Sequence, residues 1–183
     1  MKKLVIALAA VALAVSAQAA SFNWKTGMGG QVYEAGSTTA TVNGMVAYLF
    51  DAAVTSQSAA FTALSSGSAV TTLAGNLDSA TLSTGKITTQ TAFNWGAAGD
   101  TLSAYFVVVN GDNFYISTEQ SALGDAAATA TIQFKEKTTS QAALNTTGSY
   151  SGAGWYTAAV PEPTSGLLML VGLAGLALRR RRA

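Results

Sequence analysis

The chain has 183 residues, enough for one domain with a modest core. It contains no Cys and no His, which excludes Cys/His zinc sites, thiol or Ser-His nucleophiles and haem, and we expect no cofactor. The formal net charge of +1 hides an uneven distribution, because residues 20–160 hold four Lys, no Arg and eight acidic residues, so 4 − 8 = −4. An acidic segment without a basic patch argues against nucleic-acid binding.

The N-terminus has the three parts of a secretory signal. Lys2 and Lys3 precede an apolar run at residues 4–15, and Ser16-Ala17-Gln18-Ala19 supplies an Ala-x-Ala cleavage pattern. The run is short for a membrane span, which needs about 20 residues. We therefore predict a signal peptide at residues 1–19 that directs the chain to the Sec translocon and is removed by signal peptidase between Ala19 and Ala20.

The body, residues 20–158, is predicted to be mainly β. Ser and Thr make up 37 of the residues 20–160, which suits a disordered stalk, but several segments alternate between apolar and polar residues with period two. Residues 42–50 are apolar on both faces, typical of a central strand covered on both sides, with a buried helix as the alternative. Residues 86–95 and 129–135 read as half-buried strands. Weaker strand signals lie at residues 31–34 and 69–74.

One short helix is predicted between these strands. Val54, Phe61 and Leu64 recur at helical spacing, as do Ala53, Gln57 and Ala60. Asp51 or Ser56 could cap its start, and Gly67 could end it.

A hairpin is the clearest local prediction. Residues 102–109 and 112–117 are β-prone and flank Asn110-Gly111, a dipeptide favoured in two-residue turns. The loop itself is either Asn110-Gly111 or Gly111-Asp112. Both registers place the same four side chains on one face, namely Tyr105, Val107, Phe114 and Ile116. The fold class that we predict is an antiparallel β-sandwich-like single domain with one short helix.

The character of the chain changes at residue 159. Residues 160–165, which contain Pro161-Glu162-Pro163, form a stiff, non-helical break, and the next 13 residues, 166–178, are apolar or Gly. As a helix they span about 20 Å, which is less than the hydrocarbon core of about 30 Å. The basic residues that follow obey the positive-inside rule if the body lies outside and they lie in the cytoplasm.

Besides the Pro161-Glu162-Pro163 motif, the tail contains two further predicted sites. The transmembrane segment comprises Gly166, Leu167, Leu168, Met169, Leu170, Val171, Gly172, Leu173, Ala174, Gly175, Leu176, Ala177 and Leu178. The cytoplasmic basic cluster comprises Arg179, Arg180, Arg181 and Arg182.

Pro161-Glu162-Pro163, a short apolar helix and a terminal Arg cluster, in this order, resemble the PEP-CTERM sorting signal of Gram-negative bacteria. The resemblance implies that an exosortase, a membrane protease, recognises and removes the tail. It also implies transient anchoring in the inner membrane and then delivery to the cell surface or extracellular matrix, often alongside exopolysaccharide. It covers the predicted sorting segment, residues 159–183, and not the body. A plain single-pass membrane anchor is the alternative.

The body offers weak candidates for chemistry. Asp51, Asp100, Asp112 and Asp125 lie near turns or at a strand end, and two of them could form an acid and base pair. Isolated Asp residues are ordinary in turns, so we predict no catalytic residue and no enzyme. Asn110, Asp112 and Asn113 could bind Ca²⁺, but the turn explains the same residues, and we predict no metal site.

Two hypotheses for the body follow. The first is a non-catalytic surface or matrix protein associated with extracellular polysaccharide. The second is a glycan-binding module that uses exposed aromatic side chains, although such residues more often pack in a core. The two differ in whether Trp95 and Trp155 are exposed on a common surface.

Overall fold

The computed structural model describes residues 18–136, 143–145 and 148–158. Within these residues the chain forms ten strands, one α-helix and one short 3₁₀ helix. The strands are β1 (Ala19–Thr26), β2 (Val46–Asp51), β3 (Asn76–Thr81), β4 (Phe93–Ala97), β5 (Thr101–Asn110), β6 (Asn113–Ile116), β7 (Gln120–Leu123), β8 (Ala130–Phe134), β9 (Leu144–Asn145) and β10 (Gly154–Thr157). The helix α1 is Gln57–Ser65, and the 3₁₀ helix is Val70–Thr72.

The strands form two sheets, neither of which closes into a barrel. The small sheet has the order β4-β1-β8, and the large sheet has the order β3-β2-β5-β6-β10-β9, with β7 also paired to β5. The prediction of a mainly β fold with one α-helix is confirmed. The predicted antiparallel pairing is found in six of the eight described strand pairs, but β1 pairs with β8, and β9 with β10, in parallel. Residues of β1 and β8 are about a hundred positions apart, so no tight turn forces them to run in opposite directions.

The two sheets share one apolar core. Along β1 the inward residues Ala20, Phe22 and Trp24 are fully buried. The Trp24 ring lies 6.2 Å from the ring of Phe106 in the large sheet and 6.1 Å from that of Phe134 in the small sheet. The period-two pattern of β1 therefore directs its large side chains between the sheets.

The opposite face of the large sheet is covered by α1. The Phe61 ring of the helix lies 6.0 Å from Phe114 and 4.9 Å from Tyr156 in the sheet. On the same face Phe50 of β2 stacks on Tyr105 of β5 at 5.7 Å. Strand β2 is thus covered on both sides, as the apolar residues 42–50 predicted, although the strand itself is residues 46–51.

The predicted helix is confirmed from Gln57 together with two of its terminal signals, whereas Ala53 and Val54 lie before it. The Ser56 Oγ accepts a hydrogen bond from the Ala59 N–H at 3.2 Å, so Ser56 is the N-cap. At the other end Gly67 has φ +87° and donates to the Leu64 carbonyl, while Ser68 donates to Ala63, the pattern of a Schellman motif. Asp51 is not the cap, because it belongs to β2.

The hairpin of β5 and β6 selects one of the two predicted registers. Val109 pairs with Phe114 and Asn110 with Asn113, so the loop is Gly111-Asp112. Gly111 has φ +58°, which suits the first loop position of a type II′ turn, where glycine avoids a Cβ clash. The four side chains predicted to share a face all lie in the buried cluster beneath α1.

Strand β8 follows the predicted alternation, but the predicted strand at residues 86–95 is regular only from Phe93. Thr26 of β1 bonds to Ile87, and Phe22 pairs with Phe93. The step of four residues from Thr26 to Phe22 in β1 is therefore matched by a step of six residues from Ile87 to Phe93. The two extra residues leave the segment irregular, and Thr89 is exposed.

The two weaker strand predictions are not met. Residues 69–74 contain the 3₁₀ helix, in which the Thr72 Oγ1 donates to the Ala69 carbonyl at 2.7 Å. This side-chain bond to the backbone competes with an extended conformation. At residues 31–34 there is a single isolated bridge, between Tyr33 and Thr41.

The close packing of Gly124 against β1 leads to a test. A Cβ at Gly124 would lie 2.5 Å from the Ala20 Cβ and 3.2 Å from the Asp100 carbonyl oxygen. We expect Gly124→Ala to lower the free energy of unfolding by about 1 to 3 kcal/mol, because the sheet must shift to admit a methyl group. Urea unfolding measures the change. Gly148→Ala is the matched control, since a Cβ there meets nothing within 4 Å. Equal stability of Gly124→Ala and wild type would contradict the packing.

Candidate functional site

The predicted sorting residues fall outside the part of the chain that the structure describes. This applies to Pro161, Glu162 and Pro163, to residues 166–178 and to residues 179–182. Within the described residues, no helix has the length and hydropathy needed to cross a membrane. The structure does show how the folded body begins and ends beside the two predicted terminal signals.

At the N-terminal end, the predicted cleavage site lies inside a strand. Ala19 pairs with Ala97 and Ala20 with Trp95, and the Gln18 carbonyl accepts a hydrogen bond from Ala98 at 3.1 Å. Ala20 is fully buried. The fold therefore begins at the bond that signal peptidase is predicted to cut.

At the C-terminal end, the chain leaves the large sheet beside the hairpin. Strand β10 runs antiparallel to β6, with Thr157 opposite Asn113. One residue later the Ala158 N–H donates to the Asp112 carbonyl at 2.7 Å. The body is thus hydrogen-bonded up to the residue that precedes the predicted sorting segment.

An apolar cleft of about 260 Å³ opens at this exit point. It separates the end of α1 and the segment after it from the hairpin tip. The exit cleft is lined by Leu64, Gly67, Ser68, Ala69, Val70, Val109, Gly111, Asp112, Asn113, Phe114 and Ala158. Its deep walls are apolar, and Ala158 stands at its rim.

Two carboxylates act as acceptors for tryptophan N–H groups. Asp51 is 5% exposed, and its Oδ2 accepts from the Trp95 Nε1 at 2.9 Å. The Asp51 Oδ1 accepts from the Ala53 N–H at 2.9 Å. The Asp78 Oδ2 accepts from the Trp24 Nε1 at 2.7 Å. These bonds join strands across the core, which is a structural role for both side chains.

Two of the three remaining candidate acids, Asp100 and Asp125, stabilise turns with their side chains, and Asp112 lies in the hairpin loop. The Asp100 Oδ2 accepts from the Ala97 N–H at 2.7 Å, and the Asp125 Oδ1 accepts from the Ala127 N–H at 2.8 Å. Both are local bonds of the kind that Asp makes in loops. Among the described residues, no group of three or more acidic side chains is placed to hold a metal ion.

Glu136 is the one fully buried acidic residue within the described part of the chain. Its Oε1 accepts from the Thr118 N–H at 2.9 Å and from the Thr118 Oγ1 at 2.7 Å, and its Oε2 accepts from the Tyr115 hydroxyl at 2.5 Å. Sequence reasoning missed this network. The alternation Ile132, Phe134, Glu136 continues past the end of β8 and could have placed the carboxylate on the inner face.

Burial also changes the acidity of the tyrosine beside this carboxylate. The pKa of Tyr115 is raised well above its usual value, first by burial and then by the charge and hydrogen bond of Glu136. The phenol therefore stays a neutral donor. With three donors the Glu136 side chain is satisfied inside the core, and the arrangement holds β6 against the residues that follow β8.

The tryptophans do not form the surface that the glycan-binding hypothesis requires. Trp155 is fully buried, and its Nε1 donates to the Tyr33 carbonyl at 2.7 Å. Trp24 is also fully buried, and Trp95 is partly buried against the shared core. Trp95 and Trp155 therefore form no common exposed surface, and core packing, which the sequence favoured, explains these residues.

The buried network predicts a stability effect. Tyr115→Phe removes a hydrogen bond to a buried carboxylate, and we expect the free energy of unfolding to fall by about 2 kcal/mol. Urea unfolding at neutral pH measures it. Tyr48→Phe, a half-buried position in the same sheet, is the matched control and should change stability less. If the two variants lose the same stability, Glu136 does not depend on the Tyr115 hydroxyl.

A pH dependence follows from Tyr150. Burial raises its pKa from 10.0 to about 12, and nearby Tyr156 and Glu119 act in the same direction. Between these values the unfolded chain loses a proton that the folded chain keeps, so the free energy of unfolding falls as pH rises from about 10 to 12. We expect Tyr150→Phe to show a shallower decline than wild type in this range. Between pH 7 and 9 the difference between the two proteins should stay constant, and parallel declines above pH 10 would contradict the assignment.

Comparison with known proteins identifies one segment. The family described as the PEP-CTERM protein-sorting motif matches residues 159–182. The match begins directly after Ala158 and includes Pro161, Glu162 and Pro163. No curated protein and no solved structure matches the chain.

Proposed function

We propose that this chain, which carries a PEP-CTERM protein-sorting motif at residues 159–182, is an exported surface or extracellular-matrix protein processed by an exosortase. The observation that carries the proposal is the motif itself, which implies an exosortase-targeted protein. The motif directly follows the last described strand. Only Ala158 lies between the end of that strand, Thr157, and the first residue of the motif.

The route that we propose has two membrane steps. The Sec translocon exports the chain, and signal peptidase cuts between Ala19 and Ala20. Residues 166–178 then hold the chain in the inner membrane while residues 179–182 stay in the cytoplasm. The apolar run is short, so it is held weakly compared with a full-length span, which suits a transient anchor.

For the body we propose a non-catalytic role in an extracellular layer that contains polysaccharide. Two features support the non-catalytic part of this role. The buried carboxylates Asp51 and Glu136 are engaged by donors of the fold itself. The chain also lacks His and Cys, and residues 20–160 lack Arg, so three common sources of catalytic groups are missing from the body.

Intact-mass spectrometry of the protein from cells with and without the exosortase tests the proposal. We expect the mature chain to begin at Ala20 in both strains, and to lose roughly the last twenty residues in the strain that has the protease. The double variant Pro161→Ala, Pro163→Ala should keep its tail. Lys86→Ala, an exposed change in the body, is the control and should be processed like wild type.

An intact C-terminus in both strains would contradict the proposal and would favour a plain single-pass anchor. A chain that begins at Met1 would contradict the proposed export route independently of the tail.

A further inference from the structure

The exit cleft has a natural occupant within the chain itself. We propose that the cleft seats the side chain of Val160 and so fixes the start of the sorting motif against the folded body. The role of this contact in sorting rests on the proposed function. The contact itself depends only on the folded body and Val160.

If the alternation of β10 continues past Ala158, it brings Val160 to the α1 face. Trp155 packs in the core between the sheets, whereas Tyr156 and Ala158 pack in the cluster beneath α1. Side chains of an extended chain alternate with period two, so the next residue on the α1 face is Val160. The Ala158 hydrogen bond to Asp112 keeps the chain extended to the rim of the cleft.

The chemistry of the cleft fits a branched aliphatic side chain. Leu64, Val70 and Phe114 form its floor and are at most 8% exposed, whereas Val109 is 37% exposed. Val109 lies at a concave surface and is only partly covered, so contact with another apolar side chain would remove more of its surface from water. Val160 is the first large apolar residue after Ala158, and the next residues, Pro161 and Glu162, are less suited to the apolar floor.

A seated Val160 would constrain the sorting motif. Five residues, 161–165, separate Val160 from the apolar segment at residue 166. Fully extended, they reach about 17 Å. The hairpin tip and the end of α1 would therefore face the membrane at short range, and the exosortase would meet Pro161 at the surface of the body.

Cysteine labelling tests the seat directly, because the chain has no native Cys. The full chain is reconstituted without exosortase in vesicles of phosphatidylethanolamine and phosphatidylglycerol. A maleimide is then used to label Val160→Cys and, as the matched control one residue earlier, Ala159→Cys. We expect Val160→Cys to react at least about tenfold more slowly, because a seated thiol is shielded from water.

Variants of the cleft then show what shields the thiol. Val109→Asp should raise the labelling rate of Val160→Cys to that of Ala159→Cys. Ala69→Trp, an exposed change at the cleft wall, should do the same by filling the space, and it does not disturb the buried floor. Ser68→Ala is the control and should leave the slow rate unchanged.

Three results would overturn the seat. The first is equal labelling at the two positions, and the second is slow labelling that both cleft variants leave unchanged. The third is protection that disappears when the protein is diluted with lipid, which would indicate a second copy as the occupant. Because the vesicles lack exosortase, none of these results depends on processing. Failure of the seat is thus distinguishable from failure of the sorting proposal, which the mass measurement decides.

Discussion

Strand β5 is the element on which the other strands and the helix depend. It pairs with β2 through residues 104–108, with β6 through residues 107–110 and with β7 through residues 101–104. Phe106 faces the small sheet, and Tyr105 faces α1. Because both faces of β5 are apolar, the large sheet must be covered on both sides, and the three layers follow from that requirement. The exit cleft lies at the hairpin end of the same strand, beside Val109.

The parts of the fold that could be predicted are those with local signals. Ser56 and Gly67 mark the ends of α1 with hydrogen bonds inside their own turns, and the hairpin brings its strands together through one tight loop. Strand β1 was missed although Phe22 and Trp24 alternate with polar residues, because its partners lie far along the chain and leave no local mark. The irregular stretch before Phe93 could not be predicted either, because its two extra residues are placed by the register with β1, which the sequence does not show.

The candidate sites divide in the same way. The sorting motif can be read from sequence because its three parts follow one another in order, without tertiary partners. The roles of the body's acidic residues cannot be predicted in this way, because they depend on contacts across the fold. Asp51 accepts from a tryptophan 44 positions away, and the Glu136 carboxylate meets the Tyr115 hydroxyl 21 positions away. In the sequence neither Asp51 nor Glu136 differs from an ordinary exposed acidic residue, yet Asp51 is largely buried and Glu136 is wholly buried.

The pairing of β1 with strands far along the chain has a consequence for the order of events on the proposed export route. β1 holds the bond proposed for signal peptidase, between Ala19 and Ala20, and on that route it would be the first of the described strands to cross the membrane. Its partners β4 and β8 follow about seventy and about a hundred residues later. On that route β1 would have no neighbour in its sheet until β4 emerges, so the bond between Ala19 and Ala20 would stay open to the protease. The topology would thus supply a time window, because the strand that pairs with Ala19 and Ala20 begins only at Phe93.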